Sequence, residues 1–331
     1  MNSKKKNSNP TMKDVAKEAG VSLGTVSKVF NDVPVGASYR RKVEEAAERL
    51  HYQVNNYARG LKTNETRCIA LLIPSLQHPF FSALTDEITA YLMSLGYRNM
   101  LMITNYDQDA EEKCITLVQQ NKVDGIIGLT YIPALEVDPS VPFVTIDRHL
   151  NSSIPCVSSD NYQGGQLATE KLIELGCRNL LFLRIGSEIY GEVNKREAGF
   201  EAVCRERGII HDSVTLSDTG TEEPFYEYQR SHITNGRLSF DGIFCNSDHL
   251  ATHIIAFLNE NGIRVPEDVQ IIGYDGVPDF YSGRYYCSTI IQPVREMAAM
   301  CVDLILRKDR ASLPSLVLLP VQYVPGGTTR E

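Results

Sequence analysis

From Cys68 to the end of the chain, short apolar runs alternate with longer stretches of helical periodicity. The apolar runs are Ile69–Ile73, Asn99–Ile103, Gly125–Leu129, Phe143–Ile146, Leu180–Leu183, Gly242–Phe244 and Val269–Ile272. Between them, Phe81–Leu95, Glu111–Asn121, Gly165–Leu175, Lys195–Arg207 and Leu250–Asn259 carry apolar residues three and four apart. Runs of the first kind read as buried strands, and stretches of the second kind as amphipathic helices. Their alternation predicts parallel, doubly wound sheets covered by helices. About a dozen strands are too many for one such sheet, so the body is expected to be two α/β subdomains.

The first 67 residues behave differently, with helical periodicity and no convincing strand. Val15, Ala16 and Ala19 share one face of a first helix. Gly20 supplies a turn, where a left-handed backbone is easiest for glycine. Val21 plugs that turn into the core, and Ser22 is suited to cap a second helix. Val26 and Val29 pack the second helix against the first. A third helix, about Ala37 to His51, carries Val43, Ala46, Ala47 and Leu50 as its stripe. This is a helix-turn-helix over Thr11–Asn31, an all-α headpiece before the α/β body. A recognition helix presents its N-terminal residues to base edges. Ser22, Leu23, Gly24, Thr25, Ser27 and Lys28 are therefore the candidate DNA contacts. Leu23 suits a thymine methyl, Gly24 permits close backbone approach, and Lys28 reaches a guanine or a phosphate. Arg40, Arg41 and Lys42, at the start of the third helix, either touch phosphate or form a solvated face.

Charge sharpens this picture. The chain carries −8 overall, yet residues 1–67 hold 13 Lys plus Arg against 7 Asp plus Glu, while the remainder holds 20 against 34. A basic head on an acidic body suits a nucleic-acid module joined to another function. Residues 1–10 read as a basic tail, not a secretory signal, since no apolar stretch follows the lysines. No run reaches the roughly 18 apolar residues of a membrane span. The 8 cysteines are scattered through apolar segments, without the spacing of a zinc site, and read as reduced core thiols in a cytoplasmic protein. No phosphate loop, nucleophile elbow or metal cluster is present, so neither an enzyme nor a cofactor is expected. Gly164-Gly165 lacks the rest of a dinucleotide fingerprint.

The segments Lys13-Asp14-Val15-Ala16, Ala19-Gly20-Val21-Ser22 and Thr25-Val26-Ser27-Lys28-Val29-Phe30-Asn31, with Asn55 and Ala58-Arg59-Gly60-Leu61, resemble the lactose/galactose repressor family of bacterial transcription regulators. The resemblance runs to about residue 324. It implies a helix-turn-helix domain at 11–54, a hinge helix and linker at 55–67, and an effector-binding and dimerisation body at 68–331. The body would resemble periplasmic sugar-binding proteins, with one subdomain at about 68–166 plus 294–321 and the other at 167–293 plus 322–331. Asn55, Ala58 and Leu61 then lie in a hinge helix on DNA, where Leu61 wedges between base pairs in the minor groove. The other reading of this segment is a plain linker. Lys28, Tyr39, His51 and Val54 depart from the family pattern.

The same resemblance implies a ligand set: Phe80 and Phe81 of His78-Pro79-Phe80-Phe81, then Asp147, Arg148, Arg196, Ser247, Asp275 and Gln292. Carboxylates beside Arg and Gln answer both the donors and the acceptors of sugar hydroxyls. Phe80 and Phe81 are equally suited to core packing, Arg148 to pairing with Asp147, and Asp248 to capping a helix. The expectation is a dimeric, DNA-binding, sugar-responsive repressor on a pseudo-palindromic operator. No leucine-heptad tail that would hold a tetramer follows the body. The alternatives are the same DNA-binding role controlled by a nucleobase or a protein co-regulator, or a plain sugar-binding protein.

Overall fold

The computed structural model describes residues 10–31, 33–52, 66–120, 123–130, 132, 140–186, 190–216 and 223–330. These form two compact units, Met1–Thr66 and Arg67–Glu331.

In the first unit, α1 (Met12–Ala19), α2 (Leu23–Phe30) and α3 (Ala37–Arg49) enclose a small core of Val15, Ala16, Val26, Val29, Val43, Ala46 and Ala47. A capping box starts α1: the Asp14 carboxylate accepts the Thr11 N–H at 2.8 Å, and the Thr11 hydroxyl oxygen faces the Asp14 N–H. Each side chain thus satisfies a donor the helix itself cannot pair. Gly20 ends α1 in the left-handed conformation at φ 64°. The Ser22 hydroxyl accepts the Thr25 N–H at 3.1 Å and starts α2. The third helix stops at Arg49, two residues short of the expected end, and His51 then turns at φ 50°. An L side chain in that region crowds its own backbone.

In the second unit the chain first builds β1 (Cys68–Ile73), α4 (Pro79–Ser94), β2 (Arg98–Ile103), α5 (Gln108–Gln120), β3 (Gly125–Gly128), β4 (Phe143–Ile146) and β5 (Cys156–Ser159). It continues through α6 (Asn161–Glu174), β6 (Asn179–Ile185), α7 (Lys195–Arg207), β7 (Ile210–Leu216), α8 (Glu223–Ser231), β8 (Ile233–Thr234) and β9 (Arg237–Leu238). Then come β10 (Gly242–Cys245), α9 (Asp248–Glu260), β11 (Gln270–Asp275), β12 (Ser288–Ile291), α10 (Val294–Leu306), β13 (Leu316–Leu319) and β14 (Gln322–Val324). Twelve of the strands form two six-stranded sheets, in the orders β13-β5-β4-β3-β1-β2 and β14-β12-β11-β10-β6-β7, and β8 pairs with β9 in a small antiparallel ribbon. Within the two large sheets all neighbours run parallel except β12 and β14. Every residue of β1 is buried, as a central parallel strand covered on both faces requires.

The chain passes between the sheets after β5, after β12 and after β13. α10 returns to the first lobe, where Met297, Cys301, Val302 and Ile305 join α4 in the core. α6 packs on α7 in the second lobe. The expected division at 166/167 falls inside α6, which runs unbroken from Asn161. Gly164-Gly165 has a packing role there. A Cβ on Gly165 would lie 2.1 Å from the Arg196 carbonyl oxygen, one on Gly199 2.2 Å from that of Tyr162, and one on Gly164 2.6 Å from the Tyr274 ring. The two helices meet backbone to backbone because these side chains are missing. All eight cysteines are unpaired thiols, seven buried and Cys114 half-buried.

Two stability tests follow. Gly199→Ala forces α6 and α7 apart and should destabilise the body by about 2–3 kcal/mol, as overpacking does; an unchanged urea midpoint would contradict the close contact. His51→Gly relieves the left-handed backbone and should stabilise the headpiece by about 1 kcal/mol, read as a higher melting temperature of the 11–52 unit.

Candidate functional site

On the headpiece, α2 turns Leu23, Gly24 and Lys28 outward, with Leu23 41% exposed. Ser22 is exposed too, but its hydroxyl is engaged with Thr25, Oγ to Oγ1 2.9 Å. Thr25 and Ser27 are half-buried, and Ser27 Oγ accepts from Asn31 at 3.3 Å. Beside Leu23, Gly24 and Ser27, an open depression is completed by Thr11, Met12 and Lys13 from the start of α1. Those three walls escaped the sequence reading; the Thr11-x-x-Asp14 capping pattern was the available signal, since it fixes where α1 begins. A Cβ on Gly24 would meet only Ser22 Oγ, at an ordinary 3.6 Å. The headpiece itself therefore does not demand glycine there. Asn55, Ala58 and Leu61 lie outside the described residues.

In the body, the ligand candidates gather at the carboxyl ends of the strands, where open α/β sheets bind ligands. Asp147 follows β4 and Asp275 ends β11. Both are buried, and both take positive φ, 55° and 113°. Non-glycine residues held in such conformations concentrate at functional sites. Each carboxylate accepts a hydrogen bond from the neighbouring fifth strand of its lobe: the Ser158 hydroxyl donates to Asp147 at 2.6 Å, and the Gln292 amide donates to Asp275 at 2.8 Å. Ser159 then donates to Gln292 Oε1 at 2.8 Å.

Arg196 joins the two halves. It is 3% exposed, with its guanidinium 3.6 Å above the Tyr274 ring, a favourable cation–π geometry. It donates to Asn161 Oδ1 at 2.6 Å and to the Asn246 carbonyl at 2.5 Å, and lies 3.8 Å from Asp275 Oδ1. Asn161 in turn donates to Ser158 Oγ at 2.9 Å. A continuous polar chain thus runs from Asp147 through Ser158, Asn161 and Arg196 to Asp275, then through Gln292 to Ser159. Burial raises the Asp147 carboxyl against the opposing pull of Arg196 and Ser158. It raises Asp275 likewise, against Arg196 and Gln292. Arg148 is buried beside them and donates to the Thr130 carbonyl at 2.8 Å.

Other candidates land elsewhere. Phe80 is 2% exposed, inside the core of the first lobe; the start of α4 turns it inward among Leu84 and Ile88. Phe81 is half-buried, and its ring lies 4.9 Å from that of His78. Ser247 is the residue that caps α9, accepting the Leu250 N–H at 3.2 Å. The capping role expected of Asp248 falls to Ser247, one residue earlier. Asp248 is instead a buried staple, accepting from the Gly276 N–H at 2.8 Å and the Thr289 hydroxyl at 2.6 Å. Ser158, Ser159, Asn161 and Asn246 were missed. Small polar residues at strand ends carry no signature until the fold brings them together.

His78 extends from the first lobe to 3.8 Å from Asp275 of the second. Its Nδ1 is buried without a hydrogen-bond partner among the described residues. Burial first, and Arg196 second, lower its pKa from 6.5 to about 4. Among the described residues, no cluster of His, Cys, Asp and Glu is arranged to hold a metal, and no helix is long and apolar enough to cross a membrane.

A helix-turn-helix unit and a two-lobed α/β body with a buried polar network at its strand ends suit a regulatory protein with a ligand-binding domain. A family model described as bacterial regulatory proteins, lacI family, matches residues 11–55. A second, periplasmic binding proteins and sugar binding domain of LacI family, matches residues 66–292. The chain is 32% identical to a sucrose operon repressor of Streptococcus mutans, over 95% of this chain and 97% of the relative. A periplasmic binding protein/LacI transcriptional regulator from Alkaliphilus metalliredigens, solved with D-xylulofuranose, is 27% identical at TM-score 0.70, covering 80% of this chain and 100% of that one. The lac repressor dimer bound to operator shares the fold at TM-score 0.83 and 24% identity, over 98% of this chain and 100% of that one. The chain belongs to the LacI family of transcription regulators.

His78 makes stability depend on acid. A histidine whose folded pKa lies below its unfolded value stabilises the fold above pH 6.5, and that contribution is lost as pH falls through 6.5 towards 4. The loss reaches up to about 3 kcal/mol at 1.36 kcal/mol per pH unit. His78→Gln, which cannot take the proton, should flatten the stability profile across that window in urea titrations. An identical slope in variant and parent would remove His78 as its source.

Proposed function

We propose that this protein is a repressor that binds a pseudo-palindromic operator as a homodimer in the cytoplasm, through the exposed start of α2. A sugar bound between the two lobes of the body would set its affinity for DNA. The observation that carries the sugar reading is the polar chain of hydrogen bonds and one ion pair from Asp147 to Asp275. It offers buried carboxylate, amide and guanidinium groups from both lobes, the mixture of acceptors and donors that vicinal hydroxyls need. It surrounds the crossings between lobes, so a ligand that engages both aspartates biases the lobes towards one arrangement. Family membership and the sucrose operon repressor relative support the same reading. Leu23, Gly24, Lys28 and the adjoining Thr11, Met12 and Lys13 are the proposed operator face. Asn55, Ala58 and Leu61 are the proposed hinge contacts.

A nucleobase is less well served. Flat ring recognition needs aromatic faces on both sides, and of the two candidate phenylalanines Phe80 lies in the core.

Binding of DNA and ligand must be reciprocally coupled if one state favours each. Asp275→Ala is expected to keep operator affinity within about twofold and to abolish the change in operator affinity produced by an effector sugar, a coupling that typically amounts to 5- to 150-fold. Fluorescence anisotropy on operator DNA, with and without sugars, reads both quantities. Persistence of the full sugar response in the variant would remove Asp275 from the site.

A further inference from the structure

The charges of the cleft define its ligand more narrowly. The geometry points to an uncharged polyol, a free sugar and not a sugar phosphate, as the molecule this cleft selects, with the His78 imidazole hydrogen-bonding it from the first lobe. The inference rests on the sugar reading above and adds the charge class of the ligand.

The cations near these residues are already engaged. Arg196 is held by Asn161, the Asn246 carbonyl and Asp275. Arg148 follows Asp147 in the chain and donates to the Thr130 carbonyl. Lys195 Nζ lies 2.7 Å from Glu192 Oε2. Arg184, a neighbour of Arg196, feels the opposite charge of Glu197, and the buried Asp248 neighbours Asp275, so four cations stand against five carboxylates, Asp147, Asp248, Asp275, Glu192 and Glu197. A phosphate ester brings about −1.5 to −2 charges at neutral pH, and binding sites answer it with arginine forks or open helix N-termini. Drawing Arg196 away to a phosphate would strand Asp275, which is 5% exposed, as an unpaired buried charge.

Two of the helix ends beside these residues are already taken. The Asp160 carboxylate takes the Gln163 N–H at the start of α6, and Ser247 takes that of Leu250 at the start of α9. α4 has Pro79, without an N–H, at its first position and no side-chain cap; its open donors are the N–H groups of Phe80 and Phe81, behind the neutral His78 ring.

His78 completes the argument. It is uncharged at neutral pH, so it adds no cation. Its buried Nδ1 lacks a partner among the described residues, and a buried polar atom left unpaired is costly. A ligand hydroxyl can both donate and accept, so it satisfies that nitrogen in either tautomer. A phosphate oxygen, which only accepts, would require the proton to sit on Nδ1 and would bring a charge the imidazole does not balance.

Titration calorimetry and thermal shift on the full chain, near neutral pH, test this with matched pairs: sucrose and sucrose 6-phosphate, D-fructose and fructose 6-phosphate, D-ribose and ribose 5-phosphate. Hypoxanthine and guanine are included as further probes. At least one free sugar should bind and raise the melting temperature, with its phosphate ester at least tenfold weaker. An ester that binds as tightly as its free sugar, or more tightly, overturns the inference while leaving the sugar reading intact. Binding of a nucleobase alone, or of none of these compounds, overturns the sugar reading and the inference with it. His78→Phe keeps an aromatic ring but no hydrogen-bonding nitrogen. It should melt normally and bind the same free sugar about tenfold more weakly, the scale of one lost buried hydrogen bond. Unchanged affinity in that variant removes His78 from the ligand contacts.

Discussion

The cleft is organised by one buried charge. The Arg196 guanidinium sits almost wholly out of water, and such a group is tolerated only where the fold surrounds it with partners. Tyr274 lies beneath it, Asn161 and Asn246 accept its hydrogens, and Asp275 answers its sign. Removing one partner of a buried ion pair costs about 3–5 kcal/mol, because the other is left uncompensated. The neighbouring architecture fits that requirement. Gly165 and Gly199 bring α6 and α7 into backbone contact, which sets the first turn of α7 at the cleft floor. Gly164 leaves the space that the Tyr274 ring occupies. A pair of glycines that resembled half of a nucleotide motif is thus the seat of the arginine.

The two lobes repeat one design. Leaving out the strands contributed late by β13 and β14, each sheet has its second strand at one edge, then the first, third, fourth and fifth in order. The aspartate at the end of the fourth strand takes positive φ in both lobes, and in both it is fixed by a donor from the fifth. The repeat places like groups face to face, and Arg196 and His78 break the symmetry. Arg196 belongs to one lobe and neutralises its aspartate. His78 belongs to the other and brings an uncharged ring.

Much of this was legible in the sequence, for identifiable reasons. Cys68–Ile73 reads as a strand because a central parallel strand is apolar on both faces. Val15, Ala16, Val26, Val29 and Val43 reveal the headpiece because three short helices can close only around such a stripe. Asp147, Arg196, Asp275 and Gln292 were traceable through a family resemblance, and they do come together. What the sequence left open shares a physical cause. Phe80 and Phe81 are neighbours of like chemistry, and only the rotation of α4 decides which one faces the core. Ser247 and Asp248 are both good capping residues, and the choice between them depends on where β10 ends. Ser158, Asn161 and Asn246 act through contacts between segments far apart in the chain, which no local pattern records. His51 ends α3 in a conformation usually left to glycine, and its sequence alone does not announce that.

The doubled aspartates bear on time as well as affinity. If both aspartates hold the ligand, as proposed, each lobe carries only half of the grip, and a ligand caught by one lobe would be held weakly until the other arrives. Once both are engaged, departure requires the lobes to part first. Residence is therefore governed by a collective opening, a class of motion that occupies microseconds to milliseconds or longer, and not by the breaking of any single hydrogen bond. On the proposed reading, such a regulator would keep its ligand for as long as the lobes stay together, and that lifetime would be tunable at Ser159, which holds Gln292 without being a proposed ligand contact itself.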